Sequence, residues 1–346
     1  MDFKVQLVGS MVKRGIKASS FHAENIEDVE FSSYDLVILT SSWDDRCTTL
    51  TQASLGEAKA CILLLFDDKD TEGIRDRNDD ILSRYSSLLS KNLYVVKGLS
   101  TDVDGVWQRL FAEIINVYKS TDKPLSILFD LSCCPRFYSL TTLSVCFKYG
   151  LAGKFHFFYN ECTYPEKKDD LSMEEVPFTA GRWEARIIEH LAGSVNPGDK
   201  NRFTVSIGFE GSKTLMVLNE FEPDKVNVII PCPGYTKGYA DRVREANIEL
   251  FKSFGIKRAD EQNSHAGDPV SVWSSIQENH ITTDGWNDYF LCAGSKPHSL
   301  GLALAALSMD RPRLIYSLPK KHNPVTVIPK QDCWLYSVEN IVVPLI

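Results

Sequence analysis

A chain of 346 residues with 43% hydrophobic and 24% charged residues can bury a large core, which excludes a disordered protein and favours two domains over one. Its formal net charge of −8 excludes a general affinity for nucleic-acid backbone and leaves a focused basic pocket as the way to hold an anion. Nine cysteines without a C-x-x-C pair or a Cys/His cluster read as free thiols in a reducing, cytoplasmic setting, with no metal centre.

No apolar h-region of roughly 7–15 residues opens the chain. No run approaches the roughly 20 apolar residues of a membrane span, so no membrane partner is expected. In chain order, a strand is expected at 3–8, closed by Gly9 and Ser10. A mixed stretch containing His22 follows, for which only a short helix or excursion is expected. Residues 35–47, DLVILTSSWDDRC, read as a buried strand running into an acidic and basic turn. Further strands are expected at 61–66 and 92–96, with a helix at 75–89 and an amphipathic helix at 104–118. Residues 127–136, ILFDLSCCPR, form the pivot of the chain: a buried strand, a polar turn, then a helix that begins near Arg136. A strand at 154–159 closes this half. Strands alternating with helices imply a mostly parallel sheet covered on both faces.

Between 164 and 202 the pattern changes. EKKDDLSMEE (166–175) reads as a solvated loop, RWEARIIEHL (182–191) as a helix and NPGDKN (196–201) as a turn cluster. The expected organisation is a first domain at 1–165, a linker with a helix at 166–202, and a second domain with C-terminal strands at 203–346.

The order of elements then repeats. Residues 203–218 lie over 35–50, 225–234 over the 61–66 strand, 241–255 over the first helix and 269–276 over the second. YFLCAGSKPHSLGLALAAL (289–307) lies over ILFDLSCCPRFYSLTTLSV, setting Lys296 against Arg136, and 313–318 lies over 154–159. The fold class is therefore α/β, two tandem Rossmann-like units with mostly parallel sheets related by internal duplication. Two like units can pack about a pseudo-twofold axis and line one cleft twice, as a symmetric homodimer would.

Ligands of open α/β sheets bind beyond the carboxyl ends of the strands, where helix N-termini offer unpaired N–H groups. The first unit presents Ser41, Ser42, Asp44, Asp45 and Arg46 at one such end, and Asp130, Ser132 and Arg136 at another. The second presents Gly208, Glu210, Ser212 and Lys213, then Gly294, Ser295, Lys296 and His298. Small donors, turns and isolated cations suit a phosphate-bearing, nucleotide-like small molecule. Each group also has a plainer reading. Arg136 and Lys296 could pair with a nearby carboxylate, Asp45 suits a solvated turn, Trp43 suits an interface, and Cys133 and Cys134 suit buried apolar positions better than nucleophilic ones.

FDLSCCPR and LCAGSKP resemble the ligand-binding turns of CRISPR-associated Rossmann-fold (CARF) sensor domains and related defence-associated proteins. The resemblance implies antiviral defence, a cyclic oligoadenylate held between paired domains, and a separate effector protein, because no effector domain is visible in the sequence. It implies no further cofactor. Ser42, Arg46, Ser132, Arg136, Lys213, Ser295 and Lys296 are the expected ligand contacts. Two other readings stay open. One is an enzyme that cleaves such a ligand, a ring-nuclease-type phosphodiesterase or nucleoside hydrolase with Asp44, Asp130 or Glu210 as base or stabiliser. The other is a scaffold that docks through its apolar tail ENIVVPLI. No G-x-G-x-x-G, Walker A, H-E-x-x-H or G-x-S-x-G motif is present, which disfavours the enzymes that depend on them.

Overall fold

The computed structural model describes residues 5–13, 15–50, 55, 58–67, 73–88, 92–163, 179–279, 285–322 and 327–341. The solvated loop expected at 166–175 and the last five residues of the tail lie outside them. The chain divides into one unit of Met1–Val8, Lys17–Pro165 and Pro324–Ile346, and a second of Gly9–Ile16 and Glu166–Asn323.

In the first unit the uninterrupted apolar runs become the central strands. β3 (Leu36–Thr40) and β4 (Cys61–Phe66) are buried at every position, and β6 (Leu125–Asp130) at all but Ser126. They share an eight-stranded sheet with β1 (Val5–Lys13), β2 (Ile16–Ala23), β5 (Leu93–Gly98), β7 (Ala152–Thr163) and β14 (Ile328–Asn340). The order is β1-β2-β14-β7-β6-β3-β4-β5. Neighbours from β7 to β5 pair in parallel, and β14 lies antiparallel to β7. Val37, Leu39, Leu63, Leu65 and Leu128 form the core with Tyr85 from helix α1 (Ile74–Leu88). The Asp102 carboxylate caps α2 (Val103–Thr121) by accepting from the Gly105 N–H at 3.1 Å. Helix α3 (Arg136–Lys148) is buried from Phe137 through Phe147, so its sequence shows no polar stripe.

The second unit builds a six-stranded sheet in the order β11-β10-β9-β12-β13-β8. Its strands are β8 (Thr179–Ala192), β9 (Lys200–Ser206), β10 (Lys225–Pro231), β11 (Glu261–Ser264), β12 (Trp286–Cys292) and β13 (Arg313–His322). All neighbours are parallel except β8, which lies antiparallel to β13. Helices α4 (Gly211–Phe221), α5 (Tyr239–Ala246), α6 (Ile248–Phe254), α7 (Pro269–Asn279) and α8 (Lys296–Leu307) complete it.

Set side by side, β5-β4-β3-β6-β7-β14 and β11-β10-β9-β12-β13-β8 run in the same spatial order with the one antiparallel pair at the same place. This is the repeated Rossmann-like arrangement that the sequence predicts. Two expectations are corrected. RWEARIIEHL is the body of β8, because pairing with β13 gives its backbone partners distant in sequence, and these outweigh a helix-compatible local pattern. The pairing slips at two places, near which Gly181 (φ 77°) and His190 (φ 62°) take left-handed backbone, as at β-bulges. The second correction concerns the domain boundaries. The strand at 328–340 completes the sheet of the first unit, and 179–192 is the sixth strand of the second, so neither 166–202 as linker nor 203–346 as a closed domain describes the chain.

Candidate functional site

From β3 the chain moves outward to β4 and β5, whereas from β6 it moves to β7 on the other side. The connections after β3 and β6 thus lead to opposite sides, and the carboxyl ends of two such adjacent strands are the usual place for a ligand in these sheets. In the second unit β9 and β12 stand in the same relation. The sequence-derived residues fall at these two switch points.

Helix α3 begins with Arg136 after Pro135, and no side chain caps its first turn. Helix α8 begins with Lys296 after Ser295, whose hydroxyl accepts from the His298 N–H at 3.2 Å and donates to the Ala266 carbonyl at 3.0 Å. Both cations are half-buried. Close approach of strand ends shapes the second switch point: a Cβ at Gly294 would stand 2.1 Å from Ser206 Oγ, so only glycine fits there.

Arg46, Lys213, Ser132 and Ser42 also have partners within the protein. Arg46 is 5% exposed, and its Nη2 lies 2.6 Å from Asp44 Oδ2, while Nη1 donates to the Asn160 carbonyl at 3.1 Å. Its guanidinium also stands 5.8 Å from the centre of the Tyr159 ring. Lys213 bonds Glu210 Oε1 at 2.7 Å, Thr179 Oγ1 at 2.6 Å and the Thr179 carbonyl, and it faces the Trp183 ring. These two cations tie turns to neighbouring strands. Ser132 is fully buried, and its hydroxyl accepts from the Asn160 N–H at 2.9 Å. Ser42 accepts from the Asp44 N–H at 3.2 Å.

The three candidate bases are similarly engaged. Asp44 pairs with Arg46, and Asp130, 2% exposed, accepts from the Ser132 N–H at 2.8 Å. Glu210 Oε1 accepts from Thr179 and Lys213. Each of the three carboxylates is thus held in place by the protein.

Further contacts at these ends involve Asn160 and Asn78, which no motif marks. Asn160 links the first switch point to β14 by donating to the Lys330 and Asp332 carbonyls at 2.9 and 3.1 Å. Ser41 donates to Asn78 at 2.5 Å. The Cys47 and Cys133 thiols donate to carbonyls of the same turn, to Ser42 at 3.5 Å and to Asp44 at 3.7 Å. His298, fully buried, has its imidazole held down to a pKa of about 4 by desolvation.

Two hollows add to the picture. One of about 530 Å³ opens after β10 and is lined by Tyr235, Lys237, Tyr239 and Arg258 among others, on the same edge as the second switch point. A larger one of about 740 Å³ lies at the opposite strand ends, between the starts of β4 and β5 and the end of α2. Its lysines, Lys59 and Lys123, already reach Asp35 at 2.7 and 3.6 Å, so volume there does not signal a vacant anion site. Among the described residues no cluster of three metal-binding side chains occurs, and no helix is long and apolar enough to cross a membrane.

No known family and no curated protein matches the sequence. Among solved structures, a protein assigned as a universal stress protein from Pseudomonas aeruginosa UCBPP-PA14 is 7% identical, covering 82% of this chain and 94% of its own, with a TM-score of 0.24. The functionally unknown PA1789 from Pseudomonas aeruginosa PAO1 is 8% identical, with coverages of 83% and 93% and a TM-score of 0.25. The cytoplasmic domain of a prokaryotic cation chloride cotransporter is 11% identical, with coverages of 84% and 96% and a TM-score of 0.23. Likeness at this level carries no functional argument.

Proposed function

We propose that the chain is a binding module for a phosphate-bearing, nucleotide-type ligand, taken up at the switch points. One observation carries the reading: both units place a half-buried cation, Arg136 and Lys296, as the first residue of the helix that leaves the central strand. A phosphate there would meet helix N–H groups and a full positive charge together. Arg46 and Lys213 support the turns from behind. Of the chemistries weighed, the resemblance to CARF sensor domains favours cyclic oligoadenylates, an antiviral signalling role and a separate effector protein as receiver. Binding without turnover is the reading favoured, because Asp44, Asp130 and Glu210 are held by internal partners.

The test is a thermal-shift screen against mononucleotides, cyclic dinucleotides, cyclic oligoadenylates and nicotinamide nucleotides, with chromatography of each mixture afterwards. A ligand that binds only the native state raises the melting temperature. The expected result is stabilisation by a phosphate-bearing compound recovered intact. Recovery of a cleaved compound would replace the binding module with an enzyme, and silence across the panel would remove the nucleotide reading.

A further inference from the structure

Two thiols meet at the first switch point. Cys47 lies in the single 3-10 turn Asp45–Thr48 after β3, and Cys133 in the loop after β6. Because β3 and β6 are adjacent and in register at Ile38 and Phe129, those two loops rise side by side. The Cys47 thiol lies 3.5 Å from the Ser42 carbonyl and the Cys133 thiol 3.7 Å from the Asp44 carbonyl, so both lean on one short turn. Cys133 also packs against the core cluster to which Cys47 belongs. Arg77 Nη2 stands 3.9 Å from Cys47 Sγ and is itself anchored to Asp45 at 2.6 Å, at the edge of solvent.

We propose that Cys47 and Cys133 are an oxidisable dithiol that closes to a disulfide when the protein meets a peroxide. Cys47 is 1% exposed, and Cys133 packs against its core cluster. Cys61 and Cys146 are enclosed in strand and helix, and burial pushes Cys146 up to about 12, which keeps it a thiol. At the switch point the balance differs. The hydrogen bond from Cys133 lowers Cys47, against burial, and Arg77 adds to the lowering. Burial and donation to Cys47 raise Cys133. The pair thus places its first thiolate on Cys47 and keeps a proton on Cys133.

The chemistry balances with hydrogen peroxide as oxidant. The Cys47 thiolate attacks one peroxide oxygen, the O–O bond breaks, and hydroxide leaves and takes up a proton. Cys47 is then a sulfenic acid. The Cys133 sulfur attacks the Cys47 sulfur, the S–O bond breaks, and the second hydroxide departs as water with the Cys133 proton. Two electrons pass from the two thiols to one peroxide, giving one disulfide and two waters. Arg77, whose side chain is 32% exposed, reaches Cys47 at 3.9 Å, and Cys133 is half-buried.

The experiment treats the full chain with a small excess of hydrogen peroxide, quenches it, and maps cysteine peptides without reduction. The nine free thiols fall by two, the peptides containing Cys47 and Cys133 run as one species lighter by two hydrogen atoms, and dithiothreitol restores them. In Cys133→Ser the reaction stops at a Cys47 sulfenic acid that dimedone captures, and Arg77→Gln slows bridge formation several-fold. Oxidation confined to other cysteines, such as the half-buried Cys232, or a chain whose thiols survive while a reference peroxide sensor reacts, would overturn the proposal. The wild-type map decides the matter even where a variant fails to fold, and it does not depend on any ligand.

Discussion

The Ser206 hydroxyl lies 3.1 Å from Nδ1 of His298, whose Nε2 lies 3.0 Å from the His265 carbonyl. A carbonyl only accepts, so Nε2 carries the proton and Nδ1 accepts from Ser206. The ring is neutral, wedged where β9 ends and α8 begins. Its pKa of about 4, lowered by desolvation from 6.5, means that the folded protein binds fewer protons than the unfolded chain between those values. Stability from this group is complete above about pH 6.5 and is lost as pH falls toward 4, by at most about 3 kcal/mol. His156, neutral against Tyr34 at 2.6 Å and also held at about 4 by burial, adds to the same window. Urea midpoints measured from pH 7 to pH 4 should fall, and His298→Gln should flatten part of the slope. An unchanged slope would show that the ring titrates normally.

Asp44→Asn keeps the shape of the turn and removes the charge facing Arg46. A buried guanidinium left without its carboxylate costs about 3–5 kcal/mol. The double variant Asp44→Asn with Arg46→Met should recover much of that loss, because no buried charge remains. Equilibrium denaturation of the two reads the difference. If Arg46→Met alone leaves stability untouched and abolishes nucleotide binding, Arg46 is a ligand contact after all.

Arg136→Ala and Lys296→Ala should behave in the opposite way. Each stands half-buried at a switch point, so unfolding free energy should move by about 1 kcal/mol or less. Affinity for a phosphate-bearing ligand should drop about tenfold or more, and the variants should lose part of the salt dependence shown by the wild type. Titration calorimetry at two ionic strengths checks both. Equal affinities in wild type and variants would remove these cations from the site.

Val338→Pro tests the strand that closes the first sheet. Val338 is fully buried and stands opposite Phe155 of β7, where a ladder hydrogen bond and tight packing leave no room for proline. Hydrogen exchange should report loss of protection along β7, although the change lies some way beyond the residues that form most of that unit. Retained protection in β7 would mean that β14 adds little to the sheet.

Much of this architecture was written in local pattern. The runs LVILT, CILLLF and SILFD could only be central strands, and the repeat was visible because Lys296 follows its strand as Arg136 follows its own. What local pattern could not carry was pairing. β8 alternates charged and apolar residues, β14 runs from a polar stretch into an apolar one, and both are defined by partners far along the chain; β11, with the polar sequence EQNS, is a strand only because Ile229 and Ile230 lie beside it. The site was legible to the same extent. Strand ends located it, but which cations are tied inward depended on Asn160, Thr179 and Trp183, which no motif connects to Arg46 or Lys213.

The placement of β14 also fixes the order in which the two sheets can be finished during synthesis. Domains commonly fold in turn from the amino end as the ribosome releases them. Here β8 precedes β9 to β13, so the second sheet has all its strands once β13 has emerged. The first sheet cannot close until β14 arrives, and β1 and β2 join it only through β14. Strands β1 and β2 must therefore wait for β14, and the first sheet is completed after the second.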